Sequence, residues 1–100
     1  MNRYRLTRLA RQGILEIWLK MAAESEDAAD AYVDRLVRHF RLLADYPGSG
    51  RRRDELGEGY RSVSVGEYVV LFRLVRSQVL LMQVVHRDRD SEFSVRYGSR

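Results

Sequence analysis

The spacing of apolar residues changes along the chain and divides it into a helical half and a stranded half. From Arg8 to Ala23, the apolar or small residues Leu9, Ala10, Gly13, Ile14, Ile17, Trp18, Met21 and Ala22 recur every three or four positions. That period predicts a helix with one wide apolar stripe. Thr7 stands where an N-cap oxygen is needed, and Gly13 fits a helix that closely approaches the sheet or the next helix. Trp18 is expected in the core. After a break at Glu24-Ser25, the stripe resumes as Ala29, Tyr32, Val33, Leu36, Val37, Phe40, Leu43 and Ala44. Ser25 caps this second helix, Glu26 and Asp27 sit against its positive end, and Pro47 stops it near Asp45. Arg35, Arg38 and Arg41 lie towards its polar side. Two helices joined by so short a link form an antiparallel hairpin.

From Tyr60 the pattern becomes that of strands. Three runs rich in Val and Leu, Tyr60–Val65, Tyr68–Val75 and Gln78–His86, are separated by Gly66-Glu67 and Arg76-Ser77. Two-residue breaks suit tight hairpins, so the runs form an antiparallel meander. Tyr60–Val65 alternates, with Arg61, Val63 and Val65 on one side and Tyr60, Ser62 and Ser64 on a wet side. The middle run is apolar on both faces: Tyr68, Val70, Phe72 and Leu74 on one, Val69, Leu71, Arg73 and Val75 on the other. The helices cover the first face, and part of the second is open to a partner.

With a short strand at Asn2–Leu6, whose Tyr4 and Leu6 face inward, the expected fold is α+β. It comprises an N-terminal strand, an antiparallel helix hairpin and a three-strand meander. Both helices pack on one face of a four-stranded, mainly antiparallel sheet, around Trp18, Leu36, Phe40, Val70 and Phe72. Pro47–Gly59 holds four glycines and the single proline and reads as a loop carrying Arg51, Arg52 and Arg53, whose neighbours Asp54 and Glu55 can neutralise them. Ser91–Arg100 is expected to be a tail with a short turn and a frayed end.

Composition narrows the chemistry. One hundred residues, 45% apolar and 32% charged, make one domain that buries about two-thirds of its unfolded surface. No cysteine is present, which excludes disulfides and thiolate catalysis and fits a reducing compartment. No signal peptide or membrane-length apolar run is visible, so a cytoplasmic address without a membrane partner is expected. The net charge of +4 comes from seventeen arginines against the single Lys20. Arginine-favouring codons in a GC-rich genome are one cause, and an anionic partner suited to the guanidinium fork is the other. His39 and His86 lie in different elements, which supports no metal site. No phosphate-binding glycine motif or nucleophile elbow occurs, and no cofactor is implied. His86 is either a general base or a strand-end group bridging to Asp88 or Asp90.

Local signatures in a fixed order add a family resemblance. Leu42-Leu43-Ala44-Asp45 precedes Pro47 and Gly50, and Arg51–Leu56 reads RRRDEL. Tyr60-Arg61-Ser62-Val63, Gly66-Glu67-Tyr68-Val69-Val70 and Val84-Val85-His86-Arg87-Asp88-Arg89-Asp90 follow. Over residues 2–90 this resembles the ParE branch of the RelE/ParE superfamily, the toxin halves of bacterial toxin–antitoxin pairs. The resemblance implies a single toxin domain over residues 1–90, followed by the tail at 91–100. It implies a hetero-oligomer with a ParD-like antitoxin whose acidic and apolar C-terminal segment lays a helix across the helix hairpin and sheet groove. Trp18, Tyr32, Arg35, Val69, Leu71 and Arg73 are the candidate antitoxin contacts. DNA gyrase is the implied target, met through Arg51, Arg52, Arg53, Arg61, His86 and Arg87, without enzymatic activity of the chain's own. DNA would be reached only through the antitoxin. The alternative is a ribosome-dependent mRNA endonuclease of the RelE type using His86, Arg61 and Arg73, with Arg52, Arg53 and Tyr97 in similar places. A member that has lost its toxicity is a third class.

Overall fold

The computed structural model describes residues 4–98. Asn2 and Arg3 of the expected first strand, and the expected frayed end at 99–100, lie outside the described residues. Strand β1 (Tyr4–Leu6) leads into helices α1 (Arg8–Ala22) and α2 (Glu26–Asp45). The two-residue strand β2 (Arg51–Arg52) then precedes the meander β3 (Tyr60–Val65), β4 (Tyr68–Val75) and β5 (Gln78–His86), and helix α3 (Glu92–Tyr97) follows. The meander strands and their turns fall on the expected residues. Both expected caps form: Thr7 Oγ1 accepts from the Ala10 N–H at 3.0 Å and Ser25 Oγ from the Ala28 N–H at 3.1 Å. The Thr7 hydroxyl also donates to the Met82 carbonyl at 2.7 Å, so one side chain starts α1 and ties it to β5.

The sheet has five strands rather than four, in the order β1-β5-β4-β3-β2, with β1 parallel to β5 and the other neighbours antiparallel. The fifth strand comes from the expected loop, where Arg51 pairs with Ser62 and Arg52 with Arg61. Two residues carry no period, so this strand exists through its neighbour alone. The β4–β5 register steps from Leu71↔Gln83 to Phe72↔Leu81. Met82 is thus an extra residue, a bulge that keeps both sides of β5 facing a core.

One face of the sheet meets the helices. Ala10 and Ile17 of α1, with Tyr32, Leu36, Phe40 and Leu43 of α2, pack on Val65, Tyr68, Val70, Phe72, Val79, Leu81 and Val84. Gly13 permits that closeness, since a Cβ there would lie 2.9 Å from the Val84 carbonyl oxygen. Trp18 is not in this core. It stands about 100° around α1 from the buried Ile17, and the indole sits half-buried against α2, its Nε1–H bonded to Asp30 Oδ1 at 2.8 Å.

The second face is closed too. Leu56, Val69, Leu71, Val85 and Phe93 form a separate buried cluster, flanked by Tyr60, Met82 and Tyr97. Its cover comes from the turn Asp54–Leu56 and from α3, where a short turn was expected. The wet side expected for β3 is therefore partly covered: Ser62 is buried and Tyr60 is shielded.

Candidate functional site

The expected target residues divide into three environments. Arg53 is buried, only 6% exposed. Its Nε donates to Glu55 Oε2 at 2.7 Å, its Nη1 to Ser62 Oγ and Asp90 Oδ1 at 3.2 Å each, and its guanidinium lies 5.8 Å from the Phe93 ring centre. Burial opposes its charge, but the bonds to Glu55 and Asp90 more than offset this and leave its pKa raised. The Arg53 hydrogen bond holds Glu55 below the usual carboxylate range. Arg53 thus joins the β2–β3 segment to the turn before α3 and is not available as a surface cation.

Around it, a basic edge forms at one end of the sheet. Arg51 and Arg52 are exposed, and Arg52 pairs with Asp54 at 2.8 Å. Arg61 Nη1 donates to the Gly48 and Gly50 carbonyls at 3.3 and 2.8 Å, bracing the turn before β2. Arg73 stacks 4.9 Å above the Tyr60 ring and donates to the Glu58 carbonyl. Local carboxylates, carbonyls and one ring therefore hold most of these cations in place.

His86 lies elsewhere. It pairs with Tyr68 at the start of β4, whereas Arg73 is near that strand's far end, opposite Tyr60. Five steps along a strand separate them by about 17 Å. The His86 ring meets Tyr68 edge-on at 5.5 Å, its Nδ1 accepts from the Asp88 N–H at 3.1 Å, and Glu67 Oε1 lies 3.5 Å from its Nε2. The strand-end bridge to Asp88 is thus the arrangement formed. Arg87, next in the chain, is exposed. Tyr97 faces the second cluster, donates to Gln83 Oε1 at 3.0 Å and has its pKa raised by burial.

The expected antitoxin residues are also dispersed. Val69 and Leu71 lie beneath Leu56 and Phe93 and offer no free surface, because the chain's own C-terminal segment occupies that face. Arg73 belongs to the basic edge. Tyr32 and Arg35 do come together, in an open cleft of about 380 Å³ that Lys20, Met21, Glu24, Tyr68 and His86 also line. The Tyr32 hydroxyl donates to the Val65 carbonyl at 2.6 Å, and burial pushes its pKa up to about 12. Leu15 and Leu19, exposed on α1 four residues apart, were missed. The available signal was that neither belongs to the core stripe. Among the described residues no group of three His, Cys, Asp or Glu side chains could hold a metal ion. Among the described residues, no helix is long and apolar enough to cross a membrane.

The architecture is shared with solved structures of toxin–antitoxin systems. A solved structure of a chromosomal ParDE system from P. aeruginosa is similar with a TM-score of 0.72 at 17% identity, covering 86% of this chain and 96% of the other. The toxin–antitoxin complex RelBE2 of Mycobacterium tuberculosis is similar at 0.56 and 24% identity, covering 86% and 91%. The family model for the ParE toxin of the type II toxin–antitoxin system parDE matches residues 4–91, and the chain belongs to that family. Toxin ParE1 of Caulobacter vibrioides is 32% identical over 93 residues, spanning 91% of this chain and 95% of the relative. Toxin ParE1 of Mycobacterium tuberculosis is 29% identical over 91 residues, spanning 89% and 93%.

Proposed function

We propose that the chain is a cytoplasmic toxin that inhibits DNA gyrase by binding rather than by catalysis, and that a ParD-like antitoxin neutralises it. The observation that carries the reading is the separation of His86 from Arg61 and Arg73 along β4. Cleaving message through the 2′-hydroxyl needs one group to take a proton and another to give one, both within hydrogen-bond reach. Guanidinium keeps its proton, and His86 stands far from the arginines that would hold the phosphate. A gyrase inhibitor makes no such demand, because the DNA-cutting chemistry belongs to gyrase. The edge made by the exposed Arg51 and Arg52 and the half-buried Arg61 then serves as the target surface.

For the antitoxin, the support is the outer side of the helix hairpin. Leu15 and Leu19 are exposed there, and Arg8, Arg11 and Arg38 stand nearby on α1 and α2. An amphipathic helix with Leu on one side and Asp or Glu beside it fits that face, and its extended continuation reaches the Tyr32–Arg35 cleft. The test is a pair of assays on purified toxin: gyrase supercoiling with trapping of the cleaved DNA complex, and message cutting on translating ribosomes. The expected result is inhibition in the first and no cutting in the second. Arg51→Glu with Arg52→Glu should lower gyrase inhibition at least about tenfold, while His86→Ala leaves it within about threefold. Codon-phased cutting that falls about 10²-fold in His86→Ala would overturn the reading.

A further inference from the structure

The last turn of α2 carries two large apolar side chains that the core leaves outside. Leu42 and Tyr46, four residues apart, are 53% and 66% exposed, while the neighbouring Leu43 is buried. At 100° per residue both lie on the flank of α2 turned away from Asp30, the residue that meets Trp18 of α1. Arg35 shares that flank, and its Nη1 would lie 3.3 Å from a Cβ on Gly66 of the β3–β4 turn. The flank therefore looks out over β3 and not over α1, where Leu15 and Leu19 stand.

The chain that follows is fixed on several sides. The Tyr46 N–H donates to the Leu42 carbonyl at 2.8 Å, and the Ser49 N–H donates to the Tyr46 carbonyl at 3.0 Å. Arg61 braces the Gly48 and Gly50 carbonyls. Gly50 is buried against Phe72, whose ring would lie 2.5 Å from a Cβ there. Tyr46 is thus held in place before any partner arrives, which lowers the entropy cost of using it. Beside this turn, Arg52 and Arg61 are directly opposed across β2 and β3, with Cβ atoms about 5 Å apart. Arg61 shares its side of the sheet with Val63 and Val65, which pack under the helices, so Arg52 points to that side as well. Like charges so placed repel. Asp54 offsets Arg52 and neutral carbonyls hold Arg61, so the pair keeps a net positive charge.

We infer that Leu42, Tyr46, Arg52 and Arg61 form one surface that receives a protein segment carrying an apolar side chain next to a carboxylate. The apolar side chain rests on Leu42 and Tyr46, and the carboxylate meets the two guanidinium groups. Tyr and Arg are among the residues that most often carry the binding energy of protein interfaces. Exposed Arg38 and Asp45 border Leu42 with opposite charges, a polar rim of the kind such interfaces have. A nucleic acid fits less well. Its binding draws on many phosphate contacts, and two arginines, one already paired, supply few. Leu42 gives a base no flat surface to stack on. The inference rests on the proposed function, which makes gyrase the protein that supplies the segment. It narrows the basic edge to the side of the sheet that holds Arg52 and Arg61, and it adds two apolar contacts to the cations.

The experiment measures inhibition of gyrase supercoiling by the chain made by cell-free synthesis, together with its binding to a labelled single-stranded DNA about 20 nucleotides long. Leu42→Ser with Tyr46→Ser should raise the concentration needed for half-inhibition at least about tenfold. The urea midpoint should stay at the parent value, because both side chains are exposed. Tyr46→Ser alone should act in the same direction with circular dichroism unchanged. Val95→Ser, on the exposed side of α3, should leave inhibition within about twofold. A parent chain that leaves gyrase unaffected would overturn the proposed function and this inference with it. A parent that inhibits and a double serine variant that inhibits equally would overturn the inference alone. So would DNA binding by the parent that the double serine change removes in step with inhibition, because the occupant would then be a nucleic acid.

Discussion

The two faces of the sheet are closed by different means. On the helix face, two long amphipathic helices set six buried residues of their own against seven from the strands, and almost every contact is apolar. On the other face, three buried strand residues, Val69, Leu71 and Val85, lie under Leu56 of one turn and Phe93 of a six-residue helix, and a buried arginine joins the cover to the sheet. The first arrangement follows from periodicity and area. The second is too small to order a helix of that length by area alone, since isolated helices so short are unstable in water. Its order depends on Phe93, fully buried, and on the Arg53 bonds to Glu55, Ser62 and Asp90. Bulk apolar burial and a few directed polar bonds thus hold opposite sides of one sheet.

If that contrast holds, the largest effects come from the helix face. Phe40→Ala should lose about 3–5 kcal/mol, enough to unfold much of a marginal domain, as measured by urea denaturation. Phe93→Ala removes a ring of equal size, yet it should loosen α3 and the Asp54–Leu56 turn first. Hydrogen exchange should rise there while β4 and β5 stay protected. Equal loss of protection in both regions would show a single cooperative core instead.

Next in size is Arg53→Met, expected to cost about 1.5–3 kcal/mol through its charged hydrogen bonds. It should also change the pH dependence. Glu55 has its pKa lowered in the fold, so its contribution is present above the ordinary carboxylate pKa. That contribution disappears as pH falls through the lowered folded value. Thermal unfolding followed from pH 7 down to about pH 3 should therefore show a smaller acid-side loss in Arg53→Met than in the parent. Identical slopes would detach Glu55 from the clamp.

The smallest effect concerns the β4–β5 turn, common to both faces. Arg76 and Ser77 both have positive φ, 52° and 66°, a conformation that favours Asn and Gly. Arg76→Asn with Ser77→Gly should raise stability by about 0.5–1 kcal/mol without altering the balance between the faces. A fall in melting temperature would show that the strand ends hold the turn in some other way.

The sequence by itself determined the two capped helices and all three meander strands, because their signals are local. Apolar spacing, Thr7, Ser25, Pro47 and the two-residue turns each act within a few positions of the chain. The family was legible for a related reason, since its signatures are short segments in a fixed order. What tertiary structure alone decided concerns side chains whose partners are remote in sequence. Arg53 reads as one of three loop cations offered to a target, but Asp90, thirty-seven residues away, and Ser62 make its burial possible. Trp18 reads as core, but Gly13 and Ile17 take the side of α1 that meets the sheet, and the indole turns to Asp30 of α2. Val69 and Leu71 read as an open face until Leu56 and Phe93, from separate segments, cover them. Periodicity reports which side of an element is apolar; what comes to lie against that side depends on contacts between segments that no local pattern encodes.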